Sequence, residues 1–136
     1  MALSPAHPGT ILIVEDNPDV RNLVRNVLHD DGCRVVAATN RAEALTALTS
    51  LRFDLILTAA VDSTAADVDH WEPLDTLRRA AVGTPTIIFT ALPPATFSGY
   101  ATRGFAGLLG KPCDTDLLLT TVRGVLAETT TGSTRG

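Results

Sequence analysis

The chain contains no long apolar run. None of its hydrophobic stretches approaches the roughly 18 residues that cross a bilayer, so no transmembrane helix is expected. Residues 1–9 lack the apolar core of a signal peptide and are expected to form a loose tail. Basic residues are in short supply: 11 Lys and Arg stand against 15 Asp and Glu, a formal net charge of −4. Without a basic stripe, direct nucleic-acid binding is not expected. Cysteine is scarce too. Cys33 and Cys113 lie far apart and match no metal-ligand spacing, the pattern of two reduced thiols in a cytoplasmic protein. His7, His29 and His70 do not cluster, so none is expected to bind metal or act as a base. Aromatic side chains are few, with four phenylalanines, one tyrosine and one tryptophan, so most are needed for the interior. What the chain does have is apolar content: 45% of its 136 residues are hydrophobic, enough for the core of one domain.

These apolar residues come in alternating short runs and helical stripes. Ile11 to Val14 is continuously apolar, as in a parallel strand covered on both faces. Asn17 and Pro18 then read as the cap and first turn of a helix with a stripe of Val20, Leu23, Val24, Val27 and Leu28. A second strand is expected over 34–38. A helix follows, capped by Asn40 with Glu43 as its capping box, and Ala44, Leu45, Leu48 and Leu51 form its buried stripe. Leu55 to Thr58 is a third strand, followed by a polar connection over 60–70 and a helix carrying Trp71, Leu74, Leu77 and Arg78. Pro85 to Thr90 is a fourth strand, Ala95 to about Thr102 a weak helix, and Leu108-Leu109 a short fifth strand. Asp114 caps a last helix with a stripe of Leu117, Leu118, Val122, Val125 and Leu126, and 128–136 is expected to be a flexible tail. Five βα units over residues 10–127 imply a doubly wound α/β domain, a five-stranded parallel sheet flanked by five helices.

In such sheets ligands sit beyond the carboxyl ends of the strands. Glu15-Asp16, Ala59, Thr90 and Lys111-Pro112 fall at those ends. In order and spacing this set resembles the receiver domain of two-component response regulators (CheY-like). The resemblance implies the flavodoxin-like strand order 2-1-3-4-5. It further implies that Glu15 and Asp16 hold Mg²⁺, that Thr90 contacts a phosphoryl group, and that Lys111 pairs with an acyl phosphate through a loop with a cis Lys111-Pro112 bond. The phospho-acceptor aspartate falls on Ala59, and the aromatic switch residue on Leu108. Ala59 removes both the nucleophile and one metal ligand, so any Mg²⁺ site is expected to be weak. Without phosphate, Lys111 is expected to pair with Glu15 or Asp16. Acids at this point also favour a helix start.

A second register exists, in which Asp62, Asp69 and Glu72 match the acceptor, a loop aspartate and a helix glutamate. Three residues separate it from the first. A strand continuing through Ala59 would point Asp62 to the opposite face, about 10 Å further on. Asp67 and Asp69 are other acids of that loop. The expected function is that of a stand-alone, non-enzymatic, degenerate receiver that works through contact with signalling proteins, a histidine kinase or a downstream effector, with a homodimer as one mode. The contact face implied by the family is the fourth helix, fifth strand and last helix, with Phe97, Tyr100 and Phe105 mostly in the core. The alternative is an active receiver phosphorylated on Asp62 by a histidine kinase with Mg²⁺. A nucleotide-binding flavodoxin-like domain is disfavoured because no Gly-rich loop follows the first strand.

Overall fold

The computed structural model describes residues 9–60 and 69–135, with side chains as far as 128. Five strands, β1 (Thr10–Val14), β2 (Arg34–Ala38), β3 (Leu55–Ala59), β4 (Thr86–Thr90) and β5 (Gly107–Gly110), form one sheet in the order β2-β1-β3-β4-β5. All neighbours are parallel. This is the flavodoxin-like order the resemblance implied. The register brings Val14 beside Ala38 and Thr58, Ala59 beside Phe89, and Thr90 beside Gly110. The carboxyl ends of β1, β3, β4 and β5 therefore finish along one edge.

Strand residues alternate between two cores, because successive side chains leave opposite faces of the sheet. Ile11, Ile13, Leu55, Leu57, Ile87 and Phe89 face α1 (Pro18–Asp30) and α4 (Thr115–Arg135). Leu12, Val14, Ile56 and Ile88 face the other way, toward α2 (Arg41–Ser50), α3 (Trp71–Ala80) and the segment after β4. Each helix begins at a side-chain cap. Asn17 Oδ1 accepts from the N–H groups of Asp19 (2.9 Å) and Val20 (3.2 Å). Asn40 Oδ1 accepts from Glu43 N–H at 2.9 Å, while Glu43 Oε1 reaches back to Thr39 N–H at 2.6 Å, one residue earlier than an ordinary capping box. Asp69 Oδ1 takes the N–H groups of Trp71 and Glu72, and Asp114 Oδ1 that of Leu117.

Three expectations need correction. Among the described residues there are four α-helices, not five. The helix expected over Ala95–Thr102 is a 3₁₀ turn, Pro94–Phe97, followed by further turns. The stretch cannot wind on as a helix because Gly99 and Gly104 sit at φ +81° and +94°, in left-handed conformations that suit glycine alone. The last helix runs through Arg135 rather than ending near 127, since adding a turn to an existing helix costs far less than nucleating one. Finally, Leu51, expected in a buried stripe, is 50% exposed, and Leu23 and Leu117, expected on the apolar stripes of their helices, are 61% and 49% exposed. They lie at the margins of their apolar faces, or at the helix end in the case of Leu51.

Phe97 and Phe105 are buried, as expected, and pack with Leu74, Ile88 and Leu92. Trp71 meets both rings, with centroids at 5.4 and 5.7 Å. Arg103 lies over the outer face of Trp71, 4.1 Å from its centroid, and bonds Asp75 at 3.1 Å. This cluster holds the 91–106 segment against α3 in place of the missing helix. Both cysteines are free thiols. Burial, followed by the nearby Asp31 carboxylate, pushes the Cys33 thiol above its ordinary value, and burial followed by Asp114 does the same to Cys113. A raised folded-state value favours the protonated thiol, so this contribution to stability is complete below about pH 9 and is lost as pH climbs through the folded values. Alkylation followed by intact mass is expected to show slow reaction at neutral pH. Half-buried Cys113 should label first, and Cys33, 4% exposed, only on unfolding. Equal fast labelling of both thiols at neutral pH would contradict this packing.

Candidate functional site

Ile13-Val14 carries the chain through the sheet and releases it at Glu15, whose N–H still bonds Ala38 O on β2 at 3.0 Å. This last rung turns Glu15 inward, to 2% exposure, while Asp16 stays exposed. Glu15 Oε1 lies 2.8 Å from Lys111 Nζ, and Glu15 Oε2 accepts Asn17 N–H at 3.1 Å. Of the two partners foreseen for Lys111, the structure thus selects Glu15. The ammonium also lies 5.2 Å from the centroid of the Phe89 ring. Lys111 is positioned by its own N–H, which bonds Thr90 O at 2.8 Å, and by the cis Lys111-Pro112 peptide that follows.

Thr90 ends β4, 1% exposed, and its Oγ1 accepts Leu92 N–H at 3.0 Å. Ala59 ends β3, half-buried, beside Phe89. Between the ends of β1 and β3 and the starts of α2 and α3 lies a cavity of about 320 Å³, lined among others by Glu15, Asp16, Asn40, Ala59, Ala60 and Leu74. Leu108 packs half-buried against the Trp71–Phe97–Phe105 cluster. The structure therefore gathers Glu15, Asp16, Ala59, Thr90 and Lys111 along one edge and leaves Leu108 on the flank.

The rival acids fare differently. Asp62 and Asp67 lie outside the described residues. Asp69 is committed to the start of α3. Glu72 pairs with Arg41 at 3.3 Å and accepts from Thr76 Oγ1 at 3.1 Å. One participant was missed in the sequence. Arg21 Nη1 donates to Glu15 O (3.0 Å) and grazes Asp16 O (3.5 Å). Its position one turn into the helix behind an acidic pair was the available signal.

A family model, the response regulator receiver domain, matches residues 11–123. The chain belongs to the response regulator receiver family. Among curated proteins it is similar to the transcriptional regulatory protein TrcR of Mycobacterium tuberculosis, 31% identical over 121 residues, which cover 88% of this chain and 46% of TrcR. An uncharacterized 14.6 kDa protein of Leptolyngbya boryana is 35% identical over 107 residues, 76% of this chain and 79% of that protein. The chain thus spans about half the length of TrcR. Among solved structures, a two-component response regulator from Clostridium difficile superposes with a TM-score of 0.74 at 23% identity, over 87% of this chain and 95% of that one, a likeness of fold. Receivers are generally signalling modules rather than enzymes, and they work with histidine kinases and effectors. No helix among the described residues is long and apolar enough to cross a membrane.

The family's Mg²⁺ calls for hard oxygen donors with room for several waters. The described residues of this receiver do not fit it. Glu15 Oε2 is taken by the Asn17 N–H, and Oε1, which accepts no hydrogen bond, faces the Lys111 ammonium at 2.8 Å; Ala59 offers no oxygen, and Asp16 alone presents a carboxylate with no bond to a described residue. No group of three metal-ligating side chains is found among the described residues. The positive charge next to Glu15 comes from the protein itself, through Lys111.

Proposed function

We propose that this receiver passes its signal by protein contact and does not accept phosphate. The observation that carries the reading is the Lys111–Glu15 ion pair at 2.8 Å beside the methyl group of Ala59. The strand end to which the resemblance assigns the acceptor has no nucleophile there, and the lysine assigned to the acyl phosphate already has an anion. Leu108 supports the same reading, because leucine can neither donate a hydrogen bond nor stack as a switch aromatic would. The acceptor and the aromatic serve one pathway, and both are replaced.

The test is direct. The protein is incubated with Mg²⁺ and a small phosphodonor beside an ordinary receiver, and intact masses are recorded promptly. The expected result is no hydroxylamine-sensitive gain of a phosphoryl group by this chain while the ordinary receiver labels. A gain abolished by Asp62→Asn would overturn the reading and make Asp62 the acceptor.

A further inference from the structure

Lys111 is the chain's one lysine, beside ten arginines. Among the described residues, Phe89 is the one aromatic of the core that faces α1 and α4. Phe53 belongs to the opposite face, and Trp71, Phe97, Tyr100 and Phe105 to the cluster around Leu74 and Ile88. These two singular residues meet, with the Lys111 ammonium over the Phe89 ring, 5.2 Å from its centroid. The core itself does not ask for a ring there. Leu109, the neighbour of Phe89 on β5, and Ile87, two residues earlier on β4, fill the same core with aliphatic side chains, and a strand is as well served by isoleucine or valine. What a ring adds is a negative face, whose attraction for a cation grows as water is removed. Here water is largely removed, since Phe89 is 6% exposed and the Lys111 side chain 15%.

The contact also has a direction. Successive strand residues leave opposite faces of the sheet, which sends Phe89 toward α1 and α4 and Ile88 toward α3. The Lys111 backbone is tied to Thr90 O, and the residue borders a groove on the α1 side together with Phe89, Pro112 and Val20. The cavity at Ala59 is walled by other residues, Asp16 and Asn40 among them. The ring therefore draws the ammonium toward α1. We propose that Phe89 is a positioning residue for Lys111, holding the ammonium so that it serves Glu15 before any group at position 59. The proposal deepens the contact-signalling reading and rests on it for its purpose, not for its geometry.

The test compares the full chain carrying phenylalanine at position 89 with Phe89→Leu and with a ring-fluorinated phenylalanine at the same position. Fluorination nearly keeps the shape of the ring and withdraws the negative charge from its face. Two readouts follow the one lysine. With isotope-labelled lysine its ε-methylene protons give a single NMR signal, and a ring shields nuclei held over its face. With a small amine-acylating reagent, reaction at Lys111 is read by peptide mass. The expected result is a wild-type signal upfield of free lysine that moves toward the free position in both variants. Acylation of Lys111 should be about two- to fivefold faster in both, the weight of one cation–π contact. If the fluorinated ring behaves as phenylalanine and only leucine differs, Phe89 merely fills space and the proposal is overturned. A wild-type signal at the free position overturns it too, as do equal rates in all three chains. Should Phe89→Leu fail to fold, the fluorinated chain carries the comparison alone. Phosphodonor labelling of the wild type is read separately, so a chain that labels yet keeps its shielded lysine sinks only the contact-signalling reading.

Discussion

Replacing Ala59 by aspartate is expected to convert a receiver that does not label into one that forms an acyl phosphate. Ala59 is the last residue of β3 and borders the cavity shared with Asp16 and Glu15. A carboxylate built there enters the space next to Asp16, the acid whose oxygens have no described partner. It supplies the nucleophile and a second uncommitted carboxylate in one change, and an aspartate beside a metal is an established phosphoryl acceptor. The gain should be at least about tenfold over the parent, a difference of about 1.4 kcal/mol in the barrier. It should fall again when Lys111→Ala is added, because Lys111 is the cation paired with Glu15, which lines the same cavity as position 59. Intact mass before and after hydroxylamine reads both effects. If the Ala59→Asp protein melts cooperatively but takes no label, position 59 is not where an acceptor belongs, and the register through Asp62 gains ground.

The second large effect concerns folding. Glu15 is 2% exposed and Lys111 15%, so the pair is largely removed from water. Deleting one member of such a pair strands the other. Lys111→Met should leave a buried carboxylate with only the Asn17 N–H to satisfy it and cost about 3–5 kcal/mol. At a few degrees per kcal/mol for a domain of this size, the melting temperature should drop by roughly 10–15 °C. Adding Glu15→Gln removes the stranded charge, and the double variant should recover most of the loss. A urea double-mutant cycle measures this coupling. If Lys111→Met costs no more than an exposed ion pair, about 0–1 kcal/mol, the pair is not what holds Glu15 in place.

Much of this was legible in the sequence, and for reasons that can be named. The five strands announced themselves as short apolar runs between Gly, Pro and polar residues, and Asn17 and Asn40 marked helix starts through side chains that can accept backbone N–H groups. The cis Lys111-Pro112 bond and the pairing of Lys111 with an acid after β1 followed from the family pattern, but the choice of Glu15 over Asp16 did not. It depends on which residue keeps the last sheet hydrogen bond, the Glu15 N–H to Ala38 O, and that is a property of register. Leu23 and Leu117 were misplaced because periodicity gives the direction of an apolar face, not its width. The missing fourth helix was written in Pro93-Pro94, Gly99 and Gly104, which outweighed the weak helical spacing between them.

The Trp71–Arg103 stack has an optical consequence. Trp71 is the chain's one tryptophan, so all indole emission comes from a single place, in contact with the guanidinium of Arg103 and the rings of Phe97 and Phe105. That place joins α3 to the turn-rich stretch that replaces a helix, directly beyond the end of β4. Indole emission, excited selectively beyond the tyrosine absorption of Tyr100, therefore reports on this joint, without a dye and without a substitution.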